Sequence, residues 1–175
     1  MTVKFLLFMS VFFQSSVIAS IDQLSKGNAT TADTFNFLIG NYLCDDVLTS
    51  PDGRVTKLKG HWKGGTILNG NAIQDHYWND QYAATNIRIF DPSQKKWLVT
   101  YFRYPPYRTG TWKGGINGDK IVLKRAFQYH GQNLTSELVF ENISQQGFYW
   151  HSSYISKNST LINWTSKCLR TSASL

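Results

Sequence analysis

The sequence predicts an all-β domain, a sandwich or closed barrel of short antiparallel strands, and three observations carry that expectation. Apolar runs recur about every 8 to 14 residues, each bounded by Gly, Pro, Asn or Asp. Aromatics form 15% of the chain, with 6 Trp, 9 Tyr and 11 Phe, and large flat rings suit a pleated, half-buried surface. No window holds a helical period over three turns. The 175 residues fit one domain, which buries roughly two-thirds of its unfolded surface.

Residues 1–19 read as a signal peptide. Lys4 supplies a positive start, residues 5–13 (FLLFMSVFF) a short apolar core, and Val17 and Ala19 the small positions of a cleavage site. That run is too short to span a bilayer, and no later stretch approaches the ~20 apolar residues a transmembrane helix needs. Residues 20–34 are small and polar, a flexible lead-in, and the folded domain is expected over 35–171. A helical turn around Thr34–Leu38 would plug one end.

The strand-like runs are 39–48, 54–63, 65–68, 72–79, 85–90, 96–104, 107–114, 119–129, 134–142, 147–156 and 160–170, which amount to about 8–10 strands. Turn chemistry separates them: Pro51-Asp52-Gly53, Asn69-Gly70, Asp91-Pro92 and Asn117-Gly118 are hairpin or tight-turn pairs. Trp62-Lys63-Gly64-Gly65 recurs as Trp112-Lys113-Gly114-Gly115. Nothing else repeats at that period, so a bulge or barrel corner built on paired glycines is expected rather than a propeller repeat.

A signal peptide implies an oxidising compartment, outside the cell or in a bacterial periplasm. There the two cysteines admit one pairing, Cys44 with Cys168. Cys44 lies in the first strand-like run and Cys168 in the last, which are neighbours in a closed barrel. Closing so long a loop is worth roughly 4–5 kcal/mol in the chain-entropy model. Five Asn-x-Ser/Thr sequons, at Asn28, Asn133, Asn142, Asn158 and Asn163, suggest a secreted glycoprotein, each used site being on the surface.

The net charge is +7. Lysines are scattered singly apart from Lys95-Lys96, so the charge gives solubility and a weak attraction to anions rather than a specific nucleic-acid site. The sequence sets no oligomeric state.

Strand period two sorts side chains into faces. On 160–170, Ile162, Trp164 and Cys168 share one face. Asn163, Thr165 and Lys167 share the other, which carries a sequon and should point out. On 119–129, Arg125 falls among Ile121, Leu123, Phe127 and Tyr129. Arg103 follows Trp97, Val99 and Tyr101, Arg88 shares a face with Phe90, and Asp75 sits between Ile73 and Tyr77. Buried charge must be paired. In a structural reading Asp75 pairs with Arg88 while Arg103 and Arg125 reach the rims. In a functional reading one or two arginines stay free to clamp a carboxylate or phosphate.

The histidines, His61, His76, His130 and His151, show no metal-ligand spacing, and no metal site is expected. His151 is the one residue that could reach a haem iron from a strand. No other cofactor is indicated. Nucleophile elbow, phosphate loop, zinc signature and carboxylate dyad are all missing from the sequence. Residues 101–108 interleave aromatics with arginines, a pattern of base or sugar stacking or simply of a barrel-rim loop.

Four segments carry a family resemblance: FNFLIGNY (35–42), LNGNAIQDHYW (68–78), NIRIFDPSQKKWLVTYF (86–102) and GFYWHSSYISKNSTLINWTSKCLR (147–170). Their order over the mature chain resembles lipocalin-like, calycin-type proteins of unknown function, known mostly from bacteria, which open on F-x-F-L-I-G-x-W. Tyr42 stands where that family has Trp, and Tyr101 replaces the second Trp of its middle motif. The opening is more distantly similar to nitrobindin-type haem barrels, whose late histidine has no counterpart here. The resemblance implies a single up-and-down β-barrel and no particular activity.

Three functions follow as expectations. The favoured one is a secreted, non-enzymatic binder of a small lipophilic ligand inside the barrel. Arg88, Arg103 and Arg125 would meet an anionic group, and Trp62, Tyr101, Trp150 and Trp164 would line the wall. The second is an isomerase or hydrolase on a hydrophobic substrate, with Asp75 or His151 as general base. The third is a ligandless extracellular glycoprotein acting through protein partners.

Overall fold

The computed structural model describes residues 30–172. It shows ten antiparallel strands: β1 (Gly40–Thr49), β2 (Val55–Ile67), β3 (Ala72–Trp78), β4 (Ala83–Asp91), β5 (Lys96–Tyr104), β6 (Arg108–Asn117), β7 (Lys120–Tyr129), β8 (Gln132–Glu141), β9 (Gly147–Ile155) and β10 (Thr160–Thr171). Each pairs with the next, and β1 pairs with β10, so the sheet closes on itself as an up-and-down barrel. The signal peptide, the Asn28 sequon and most of the 20–34 lead-in lie outside the described residues. Among the described residues no helix is long and apolar enough to cross a membrane.

Two expected strands, 54–63 and 65–68, are one. β2 pairs with β1 as far as Gly40↔Gly64 and with β3 from His61↔Trp78 onward, so it passes from one ladder to the next without a break. Neither Trp-Lys-Gly-Gly segment forms a bulge. The glycines instead let backbone approach backbone: a Cβ on Gly64 would collide with the Leu38 carbonyl, and one on Gly114 with that of Val122.

The recorded irregularity is in β10, where the register shifts between Ile162 and Trp164. An extra residue breaks period two, which corrects the expected faces. Ile162 turns outward and is 48% exposed, while Asn163 and Trp164 both face the interior.

Cys44 and Cys168 are direct partners across the β1–β10 ladder and form the disulfide. It staples the seam that closes the barrel.

One end is plugged as expected, by a single 3₁₀ turn, Asn36–Leu38. Phe35, Phe37 and Leu38 are fully buried. The two phenylalanine rings meet Trp97, Phe140 and Phe148 at centroid distances of 5.2 to 5.9 Å, edge to face. The carbonyls of so short a turn need donors, and Arg170 supplies them. Its Nη1 donates to Ile39 O at 2.9 Å, its Nη2 to Phe37 O at 3.3 Å and to the Tyr42 hydroxyl, and its Nε to Gln145 O at 3.0 Å. Burial pushes the Tyr42 hydroxyl up to about 12, against the Arg170 charge. Gly40 makes room for that guanidinium. Its φ is +133°, and a Cβ there would strike Arg170 Nη1.

Gly40→Ala should therefore lose about 1–3 kcal/mol from backbone strain, and more from displacing Arg170. Gly53→Ala, at φ +84° with nothing near its missing Cβ, should lose only the backbone part. Urea denaturation of the two variants checks the difference; equal losses would mean that Arg170 does not hold the plug.

Candidate functional site

Above the plug the barrel encloses a cavity of about 650 Å³, within the range of small-molecule sites. The plug occupies the end where β1 begins. The cavity opens at the other end, beside Leu48–Pro51 and the strand ends that carry Arg103, Arg108 and Phe127. Successive inward positions of each strand build its wall, so all seven residues expected to touch a ligand line it: Trp62, Arg88, Tyr101, Arg103, Arg125, Trp150 and Trp164.

The wall is an aromatic lattice. Trp62, Trp150, Trp164, Tyr77 and Phe140 stand in contact, with centroids 5.0 to 6.4 Å apart. Tyr101 and Trp112 make a second edge-to-face pair at 6.1 Å nearer the mouth. Rings so interlocked offer a rigid apolar surface with little rotamer freedom left to lose.

The arginines divide in two. Arg88, on the floor, is 2% exposed. Its Nε donates to Asp75 Oδ2 at 2.7 Å, and Asn86 Nδ2 donates to Asp75 Oδ1 at 2.6 Å. Its guanidinium lies 4.9 Å from the Phe35 ring centre and 5.6 Å from that of Phe140. Burial pushes the Asp75 carboxyl up, and Arg88 and Asn86 oppose that push. This is the ion pair of the structural reading.

Arg103 and Arg125 reach the rim of the barrel, as that same reading has them. Among the described residues neither has a carboxylate partner. The Arg103 guanidinium stacks 3.7 Å from the Tyr82 ring centre. Arg125 lies 5.2 Å from Trp112 and donates one bond, from Nη1 to Thr109 O at 3.1 Å.

Neither proposed general base is in reach of a ligand. Asp75 is wholly buried in its ion pair. His151 alternates along β9 with the wall residues Trp150 and Ser152 and so lies on the outer face, with Nδ1 3.8 Å from Glu141 Oε1. From there its imidazole points away from the cavity. Among the described residues no cluster of three His, Cys, Asp or Glu side chains is placed to hold a metal ion.

The sequon asparagines also separate. Asn133, Asn142 and Asn158 are exposed. Asn163, expected outside, is on the cavity wall, where its Oδ1 accepts from Ser152 Oγ at 2.8 Å.

Three wall elements escaped the sequence reading. Arg108 stands opposite Arg103 in the β5–β6 register, which the turn at Pro105-Pro106 between them could have signalled. Trp112 is buried beneath Arg125. Asp46 lies behind the wall, 1% exposed, and accepts the Tyr77 hydroxyl on Oδ2. Burial pushes the Asp46 carboxyl above the usual carboxylate range, with the Ser166 and Tyr77 hydroxyls opposing it.

No family model matches the chain, and no curated protein matches its sequence. Among solved structures, the S-type phycobiliprotein lyase of Guillardia theta superposes with a TM-score of 0.55. The match covers 85% of this chain and 96% of that one at 9% identity. That is a likeness of fold, and it agrees with the lipocalin-like barrel expected from the motifs.

Two outcomes test the division of charge. Arg88→Gln strands a buried carboxylate and should cost about 3–5 kcal/mol, whereas Arg103→Gln and Arg125→Gln should each stay within about 1 kcal/mol of wild type in urea melts. Similar losses at all three would mean that the mouth arginines are paired as well. A carboxyl raised in the fold binds its proton more tightly there than in the unfolded chain, so it weakens the fold as pH climbs past the ordinary carboxylate range. Wild type should accordingly lose stability relative to Asp46→Asn between pH 4 and pH 7; a constant gap would mean that Asp46 titrates normally.

Proposed function

We propose that the protein is a secreted, non-enzymatic binder that carries a small lipophilic anion inside its barrel, apolar body among the tryptophans and anionic head at the mouth. The observation that carries this reading is an open cavity whose deep arginine is neutralised while its outer ones are not. Arg103 and Arg125 sit at the mouth without a carboxylate among the described residues, against aromatic faces that hold them in place. Unpaired, partly buried guanidiniums are costly to maintain, and a bound anion repays that cost. Arg88, counted among the anion contacts on sequence grounds, becomes part of the floor because Asp75 already balances it.

Secretion is supported by the character of residues 1–19 and by the disulfide, which persists in oxidising compartments. The similar lyase shows that a barrel of this general shape can serve an enzyme. Fold does not transmit activity, and Asp75 is held in its ion pair while His151 lies on the outer face.

Native mass spectrometry of the secreted protein should detect a co-purifying acid. Tryptophan fluorescence titration with a long-chain carboxylic acid and its alcohol should favour the acid, with Arg103→Gln and Arg125→Gln each weakening the acid about tenfold, one lost charge-assisted contact. Equal affinity for acid and alcohol would remove the anion from the proposal.

A further inference from the structure

Most ladders of the barrel run nearly the length of their strands, but that between β6 and β7 does not. It comprises five partner pairs, from Lys113↔Lys124 to Asn117↔Lys120, all at the plugged end. Toward the mouth, Arg108–Trp112 pair only with β5, and Arg125–Tyr129 only with β8. No ladder pair joins the two strands there.

Two arginines stand on the two edges of this opening, and a third lies on the neighbouring strand. Arg125 comes from one edge and crosses the gap to Thr109 O on the other. Gly110 has no side chain where that guanidinium lies, and a Cβ would collide with Arg125 Nη1. Arg108 belongs to the opposite edge and is exposed. Arg103 is its direct cross-strand partner, and like charges in that relation repel. Among the described residues none of the three has a carboxylate partner. The Tyr101 hydroxyl, which also lines the cavity, feels the charges of both Arg103 and Arg108.

We infer that this seam is a subsite for a doubly charged head group, a phosphate monoester or two carboxylates on one head, whose apolar tail lies in the cavity. The inference rests on the binding reading above and narrows its ligand class. A single carboxylate offers two oxygens and one charge, enough for contacts to Arg103 and Arg125 but not to balance a third guanidinium. With one charge bound, the charges of Arg103, Arg108 and Arg125 are not balanced, and the cross-strand pair Arg103–Arg108 still repels. A dianion offers enough acceptors and charge to engage at least two of them and to offset that repulsion. The missing stretch of ladder gives such a head its place, because the Thr109–Trp112 edge is already bridged by a side chain that an incoming anion can take over.

The test uses one tail and four heads: dodecanol, dodecanoate, dodecyl phosphate and dodecylmalonate, titrated against the tryptophan fluorescence of the full mature chain at pH 8. Both dianions should bind at least about tenfold more tightly than dodecanoate, the effect of one further charge-assisted contact. The order of the two says whether phosphate or dicarboxylate is the better fit. Arg108→Gln, at an exposed position, should weaken the dianions clearly more than dodecanoate and so cut their advantage. If dodecanoate binds and the dianions bind no better, or if Arg108→Gln weakens all the anions alike, the dianion subsite is overturned and the binding reading stands. If none of the four binds, both fall.

Discussion

Closure of β1 on β10 is the constraint on which the rest depends. A ten-stranded sheet left open would present two unpaired edges and a solvated inner face. Joined along Asn41–Leu48 and Trp164–Thr171, with Cys44 bonded to Cys168 in the middle of that ladder, it encloses an interior instead. Inward positions then converge from every strand. That convergence places Trp62 of β2, Arg88 of β4, Arg125 of β7 and Trp164 of β10 around one space.

The two ends of that space obey different physics. At the plugged end the 3₁₀ turn brings Phe35, Phe37 and Leu38 under the sheet, and the carbonyls it leaves open are met by Arg170 of the last strand and by the Tyr42 hydroxyl. The charge there goes to backbone acceptors, and the interior is close-packed. At the mouth no turn crosses the barrel, and the β6–β7 ladder stops short. Arginines there rest on ring faces and one carbonyl. Similar residue types thus serve structure at one end and remain available to a ligand at the other, and the difference lies in what faces them.

Much of this was legible in the chain. Period two alone put Asp75, Arg88, Arg103 and Arg125 on inward faces, because an alternating strand cannot bury one neighbour without exposing the next. The cavity wall follows from the same rule, with Trp62, Tyr101, Trp150 and Trp164 all inside. Where the rule failed, the cause was local. The β10 bulge shifts the phase at a single residue, so Ile162 and Asn163 exchange sides, and nothing in Leu161-Ile162-Asn163-Trp164 announces the extra residue. His151 failed for a different reason, since its face could be decided only once Trp150 and Ser152 were known to point inward. Paired glycines signalled a special backbone at residues 64–65 and 114–115, though the need was close approach rather than a bulge.

The sequence by itself determined the all-β class, the strand spacing, the pairing of the two cysteines and most of the inward residues. These depend on composition and on periodicity along one strand. Only the tertiary structure decided which arginines are neutralised and where the wall stays open. Whether a buried charge is paired depends on residues that meet across strands, such as Asp75 with Arg88. Whether a ladder continues depends on how two strands diverge in space. Neither relation is written in the order of residues along one segment, so the barrel could be read from the chain while the free charge at its mouth could not.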